Sequence, residues 1–174
     1  MLASGYQERV TEILGRVFGN QTVIPEWSVA KDAADMFHGR GTYAPRLDIA
    51  VGPFNITPNV EDNLRAIDSR AEHPLIRQMR TRIESPNPNP RCLLAIEIEF
   101  SGSSKHILGD FTNASMMGWV GVVIGNSENT EKIRRVGNYA ALLHALGKAP
   151  SLFRNVLTFQ DSEFLKFVSS TGRW

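Results

Sequence analysis

A chain of 174 residues, 42 % of them hydrophobic and 21 % charged, has ordinary values for a soluble globular protein and is ample for one hydrophobic core, so a single domain over 1–174 is expected. Its formal net charge of +1 neither demands nor excludes a polyanionic partner, because a local patch can bind phosphates within a near-neutral chain. One cysteine, Cys92, excludes an internal disulfide, no apolar run reaches the roughly 18 residues of a membrane span, and "MLASGYQERV" lacks the regions of a signal peptide, so a reducing, cytoplasmic setting is expected.

"GYQERVTEILGRVFGN" reads as a helix, with Val10, Ile13, Leu14, Val17 and Phe18 on one apolar face and Gly19 as its stop. "QTVIPEWSVA" is short and β-branched, and its proline marks an edge strand. "DAADMFHGRGTYAP" is a loop punctuated by Gly39, Gly41 and Pro45. "PRLDIAVGPF" alternates, which predicts Leu47, Ile49 and Val51 on one face of a strand and Arg46, Asp48 and Ala50 on the other. Residues 53–91 then form an insertion. "TPNVEDNLRAIDSRAEHPLIRQMRTRIE" has helical character broken at Pro74, and "SPNPNP" is a stiff, extended connector.

"CLLAIEIEF" is the next strand. "ILGDFTNASMMG" is a helix whose apolar face is expected to hold Ile107, Leu108, Phe111, Ala114 and Ser115. "WVGVVIGN" is apolar throughout, as a central strand would be. "TEKIRRVGNYAALLHALG" is a helix with Ile133, Val136, Ala140 and Leu143 inward and Gly147 at its end. "RNVLTFQ" is a strand, and "DSEFLKFVSS" a final helix for Asp161 or Ser162 to cap. The order α, β, β, insertion, β, α, β, α, β, α predicts an α/β fold: a mixed β-sheet flanked by helices on both faces. Its first strands pair as an antiparallel meander. Its later ones are parallel across helical crossovers.

Chemistry concentrates in "AIEIEF". Strand alternation places Glu97 and Glu99 on one face and Ile96, Ile98 and Phe100 on the other. If the strand carrying Asp48 is its neighbour, three carboxylates converge, which is costly without a cation because like charges repel and each loses hydration. Carboxylates, a carbonyl and water suit magnesium or manganese. An acid alternating with apolar residues also describes the wet face of an antiparallel strand.

The element order, with "PRLD" followed by "AIEIEF", resembles the PD-(D/E)XK nuclease superfamily. "IEIEFSGSSKH" is most similar to its BamHI-like branch, in which glutamate replaces the motif lysine and a Ser/Gly-rich turn leads into a helix. The resemblance implies a restriction-endonuclease-like αβββαβ core and a Mg2+-dependent (or Mn2+-dependent) endonuclease that hydrolyses DNA. It implies Asp48 and Glu97 as metal ligands with the carbonyl of Ile98, and Glu99 as general base or further ligand. Three features depart from the pattern: Pro45 is not directly before the acid, the insertion lengthens the gap to Glu97, and lysine is absent at 99. Lys105 is either a migrated lysine reaching back from the helix start or a solvated side chain.

Glu8 and Glu12 lie off the apolar stripe of the first helix and read as solvated; His38 and His106 are possible polar neighbours of the site. The scattered histidines and single cysteine give no zinc spacing. Phosphate contacts are assigned to Arg70, Arg77, Arg80, Arg82 and Arg91, in a stretch where arginines outnumber acids, with a solvated helical face as the other reading. The helix N-terminus near Lys105 is a further phosphate position. Cutting both strands of a duplex suggests a homodimer. The competing functions are a catalytically inactive protein of the same fold, serving as a nucleic-acid-binding or assembly subunit, and an unrelated α/β protein whose acids face solvent.

Overall fold

The computed structural model describes residues 2–29, 44–55, 57, 59–149 and 151–171. The loop around Gly39 and Gly41, and His38 with it, lies outside the described residues. Helix α1 (Ala3–Phe18) buries Tyr6, Val10, Leu14 and Phe18, the stripe its sequence spacing predicts extended by one turn. Gly19 ends it with φ 95°, a left-handed position where a side chain would be strained, and its N–H caps Gly15 O. The chain then enters β1 (Val23–Ser28) and β2 (Arg46–Val51).

The insertion folds as two helices. In α2 (Val60–Ala71), the Asn59 side chain caps the N–H groups of Glu61 and Asp62. In α3 (Pro74–Arg80), Pro74 occupies the first turn, where no helical N–H is required of it. Thus Pro74 starts a helix where the sequence pattern suggested a break. There follow β3 (Cys92–Glu99), α4 (Ser104–Met117), β4 (Gly118–Gly125), α5 (Thr130–Ala145), β5 (Val156–Gln160) and α6 (Asp161–Thr171).

The five strands form one mixed sheet in the order β1-β2-β3-β4-β5. The pairs β1–β2 and β2–β3 are antiparallel, and β3–β4 and β4–β5 are parallel, with α4 and α5 as the crossovers. Strand β3 is the middle of the five, and β4, expected at the centre, lies one place over, between β3 and β5, and is buried along its whole length. One face of the sheet packs on α1, α2, α3 and α6 through Ile49, Leu94, Ile96 and Val122. The other packs on α4 and α5 through Ala50, Ala95 and Val123. Burying a side chain of the size of Ile96 contributes roughly 1.5–3 kcal/mol, and the two clusters hold the sheet from both sides.

Two face assignments change. Leu47 does not share a face with Ile49 and Val51: it joins Trp27 and Ala50 on the α4 side. The strand rotates at Asp48, opposite Glu26, whose φ of 53° breaks the pleat between the pairs Pro25↔Ile49 and Trp27↔Leu47. On α4, Leu108 is 43 % exposed, while Ile107, Phe111, Ala114 and Met117 are buried, so the helix meets the sheet about one position round from the expected stripe. That rotation is decided by Gly121. A Cβ there would lie 2.8 Å from the carbonyl of Ala114, so α4 rests directly on the backbone of β4.

Candidate carboxylate site

The pairing of β2 with β3 runs through Val51↔Leu94, Ala50↔Ala95 and Ile49↔Ile96 and then stops. Beyond it, side chains replace the ladder. Ile98 N–H donates to Asp48 Oδ2 at 2.7 Å, and Asp48 N–H donates to Glu97 Oε2 at 3.3 Å. Each acid thus satisfies a main-chain donor of the opposite strand, which places the two carboxylates in the same gap. The N–H and C=O of a strand residue point the same way, so the carbonyl of Ile98 is directed into that gap as well.

The gap is strapped from outside by α1. Gln7 Nε2 donates to the Asp48 carbonyl at 2.7 Å and to Glu26 Oε1 at 2.9 Å, and Arg46 pairs with the other oxygen of Glu26 at 3.0 Å. Gln7 sits on the border between the buried and exposed faces of its helix, and the strap it makes is set by its position beside β1. Glu8 and Glu12 are exposed, as their positions off the stripe imply. With Gln7 and Glu26 they line a groove of about 540 Å³ between α1 and β1, whose carboxylates repel phosphate.

Glu97 and Glu99 face α4, and there the helix adds a fourth acid. Asp110 stands three residues after Ile107 and four before Ala114, on the sheet-facing stripe. It is close enough to Glu99 and to Glu97 for the carboxylates to act on one another electrostatically. One turn further on, the Asn113 amide favours the charged form of Glu97. Asp110 and Asn113 are absent from the sequence reading of the site. Their signal was an aspartate and an asparagine inside an otherwise apolar helical stripe. Glu99 is held by the turn that follows it: Ser101 N–H donates to Oε1 at 2.8 Å, and Gly102 N–H donates to the same oxygen.

Burial and mutual repulsion set the protonation of the cluster. Glu97 is 4 % exposed, and burial, with Asp48 and Asp110 nearby, pushes its pKa up to about 9. Burial, then Glu99 and Asp48, raise Asp110 to about 7. Burial also raises Asp48, against the hydrogen bond from Ile98 that lowers it. Two oxygens in the cluster, Glu97 Oε1 and Asp110 Oδ2, are buried without a hydrogen-bond partner. Such a set holds protons or a cation. Among the described residues no group of three His, Cys, Asp or Glu side chains is spaced to hold a metal ion. The donors here come in pairs, and one or two carboxylates with a carbonyl and several waters is the set that magnesium takes.

The remaining sequence candidates lie elsewhere. Lys105 and His106 are exposed on the first turn of α4, and among the described residues neither forms a hydrogen bond or ion pair with the four acids. The nearer cations are Arg46 and Lys132; Lys132 Nζ donates to Gly102 O at 3.5 Å and to Asn129 Oδ1 at 2.9 Å. Arg91 precedes β3 and bonds Thr57 O at 3.2 Å, which puts it about 20 Å along the strand from Glu97. On the opposite face of the sheet, Arg80 lies over Trp119 at 5.6 Å and Arg82 over Phe167 at 4.6 Å. Arg77 is 3.8 Å from Glu72, and Arg70 is exposed at the end of α2. The five arginines therefore share the insertion, and among the described residues none of the contacts they make is with the four acids of the cluster.

The chain matches no family model, and neither a curated protein nor a solved structure matches it. No helix of the described residues is long and apolar enough to cross a membrane. What fold and site define is a mixed α/β protein with a five-stranded sheet and a partly buried acidic cluster where β2 and β3 part.

Proposed function

We propose that the chain is a metal-dependent endonuclease of restriction-endonuclease-like fold that hydrolyses DNA phosphodiester bonds. The observation that carries the reading is the crossed pair of acids, Asp48 and Glu97, in the gap where the β2–β3 ladder ends. The strand order, antiparallel on the β2 side of β3 and parallel on the β4 side, is the arrangement that the PD-(D/E)XK resemblance implies.

Asp48 and Glu97 would hold a magnesium or manganese ion with the Ile98 carbonyl, and the orphaned Glu97 Oε1 is the oxygen such an ion would satisfy. The ion supplies charge neutralisation and a more acidic bound water. The protein's own part is positioning. Gln7 fixes the Asp48 backbone, Asn113 favours ionised Glu97, and the turn at Ser101 and Gly102 fixes Glu99. Glu99 stands where lysine is usual and cannot orient water by positive charge; what it offers the site is Oε2. Arg46 and Lys132, with the insertion arginines, supply cationic surface for phosphates.

Plasmid cleavage in magnesium tests the proposal. The wild type should nick or linearise DNA, and Asp48→Ala or Glu97→Ala should abolish cleavage while leaving the fold intact. Equal cleavage by wild type and Asp48→Ala sinks the site assignment. The second reading, an inactive nucleic-acid-binding or assembly subunit, is favoured by the missing lysine and by the commitment of Glu99 Oε1 to its turn. It predicts binding of duplex DNA without cleavage in either magnesium or manganese.

A further inference from the structure

We infer that Asn126 and Asn129, in the turn that starts α5, are positioning residues for Glu99. With Lys132 they grip, by its carbonyls, the turn whose N–H groups fix the Glu99 carboxylate. The inference rests on the reading of Glu99 as a residue of the carboxylate site and adds to it the element that keeps Glu99 in place.

The pairing of β3 with β4 runs as far as Glu99↔Gly125, where both strands end. One chain then turns into α4 and the other into α5, and carbonyls at the end of a ladder need donors from elsewhere. Asn126 Nδ2 donates to Phe100 O at 3.0 Å, Asn129 Nδ2 to Glu99 O at 3.4 Å, and Lys132 Nζ to Gly102 O at 3.5 Å. Three side chains from the start of α5 thus meet three carbonyls of the turn after β3. The donors are themselves braced. Asn126 Oδ1 accepts from Glu128 N–H at 3.0 Å and from Asn129 N–H at 2.9 Å, and Asn129 Oδ1 accepts from Lys132 Nζ at 2.9 Å. With its oxygen on a donor and its nitrogen on an acceptor, each amide has one orientation. Asn129 is 2 % exposed, and these contacts offset the desolvation of a buried amide. The gripped segment is the one that holds Glu99: Ser101 N–H and Gly102 N–H both donate to Oε1, and a Cβ at Gly102 would overlap Oε2. A shift of the turn therefore carries the carboxylate with it. The two sides of β3 are built by opposite chemistry. Carboxylates take N–H groups toward β2, and amides and an ammonium take carbonyls toward α5.

Amide hydrogen exchange of the full chain, read by nuclear magnetic resonance, tests the grip, and magnesium-dependent plasmid cleavage tests its use. Asn126→Asp keeps the oxygen to which Glu128 and Asn129 donate and loses the donor to Phe100, whereas Asn129→Ala loses both of its side-chain contacts. Each should speed exchange at Ser101 and Gly102 at least tenfold and leave Val122 and Ile124, in β4, unchanged, a pattern that a general loss of stability would not give. Asn126→Asp carries the test if Asn129→Ala fails to fold. In both variants kcat should fall at least tenfold at constant KM. Asn126→Asp added to Glu99→Gln should cost nothing further, since the residue acts through Glu99. Unchanged exchange at Ser101 and Gly102 in Asn126→Asp overturns the inference. Faster exchange with kcat unaltered overturns it as well, and so does a full additional loss of kcat in the double variant. A wild type that cleaves no DNA overturns the nuclease reading, and the exchange rates then decide the grip by themselves.

Discussion

Glu97→Gln isolates the electrostatic cost of the carboxylate cluster. The side chain is 4 % exposed, its pKa rises from 4.5 to about 9, and glutamine keeps its shape while removing its ionisation. An acid whose pKa is raised by folding binds more protons in the native state than in the unfolded chain between those two values. Metal-free stability therefore falls as pH rises from 4.5 toward 9 and levels off above it. From pH 4.5 to 8 the interval is about 3.5 decades at about 1.4 kcal/mol each, so ionisation of Glu97 in the unfolded chain, where the native state keeps its proton, lowers stability by up to about 5 kcal/mol at pH 8. Asp48 and Asp110, also raised, add in the same sense. Against a total of about 5–15 kcal/mol for a typical domain, that is a large share. Urea unfolding in chelator at pH 5 and pH 8 measures it. Wild type should be markedly less stable at pH 8, and Glu97→Gln should lose most of the difference by gaining stability at pH 8 alone. Manganese at pH 8 should restore the wild type and not the variant. Parallel pH profiles for the two proteins would refute the account of Glu97 as a buried, proton-holding acid.

Gly121→Ala should lower stability by about 1–3 kcal/mol, since its Cβ meets main-chain atoms of Ala114 and forces α4 off the sheet; thermal unfolding reads the loss, and manganese affinity reads the displacement of Asp110. Gln7→Ala removes both hydrogen bonds of the α1 strap and should cost about 1–2 kcal/mol. Combined with Glu26→Gln, it should be non-additive in urea, and additivity would show that the strap is not shared. Asn59→Ala removes the cap of α2 and should cost about 1 kcal/mol in urea unfolding with manganese binding unchanged, because α2 lies on the face of the sheet opposite Asp110.

Periodicity alone made much of the architecture legible. The stripe of α1, the apolar run of β4 and the alternation of "AIEIEF" report local burial, and local burial is what amphipathic spacing encodes. Glycine at 19 and 147 marked two helix ends, because both take positive φ that other residues adopt at a cost. Where the pattern misled, a contact distant in sequence overrode it. Leu47 changed face because Glu26, on another strand, breaks the pleat opposite Asp48. Leu108 turned outward because Gly121 lets α4 settle one position round.

The sequence by itself determined which strand carries the acids and that Glu97 and Glu99 share its face, since a period of two needs no partner. Only the tertiary structure decided what meets them. Asp48 reaches Glu97 because the β2–β3 ladder ends at Ile49 and Ile96, and two main-chain donors are left for carboxylates to satisfy. Asp110 reaches Glu99 because a parallel crossover lays α4 over that end of β3. Lys105, near in sequence, points into solvent, while Asp110, further along the same helix, turns toward the acids. A helix turns its residues through 100° per step, so proximity along the chain says little about which of them faces the sheet.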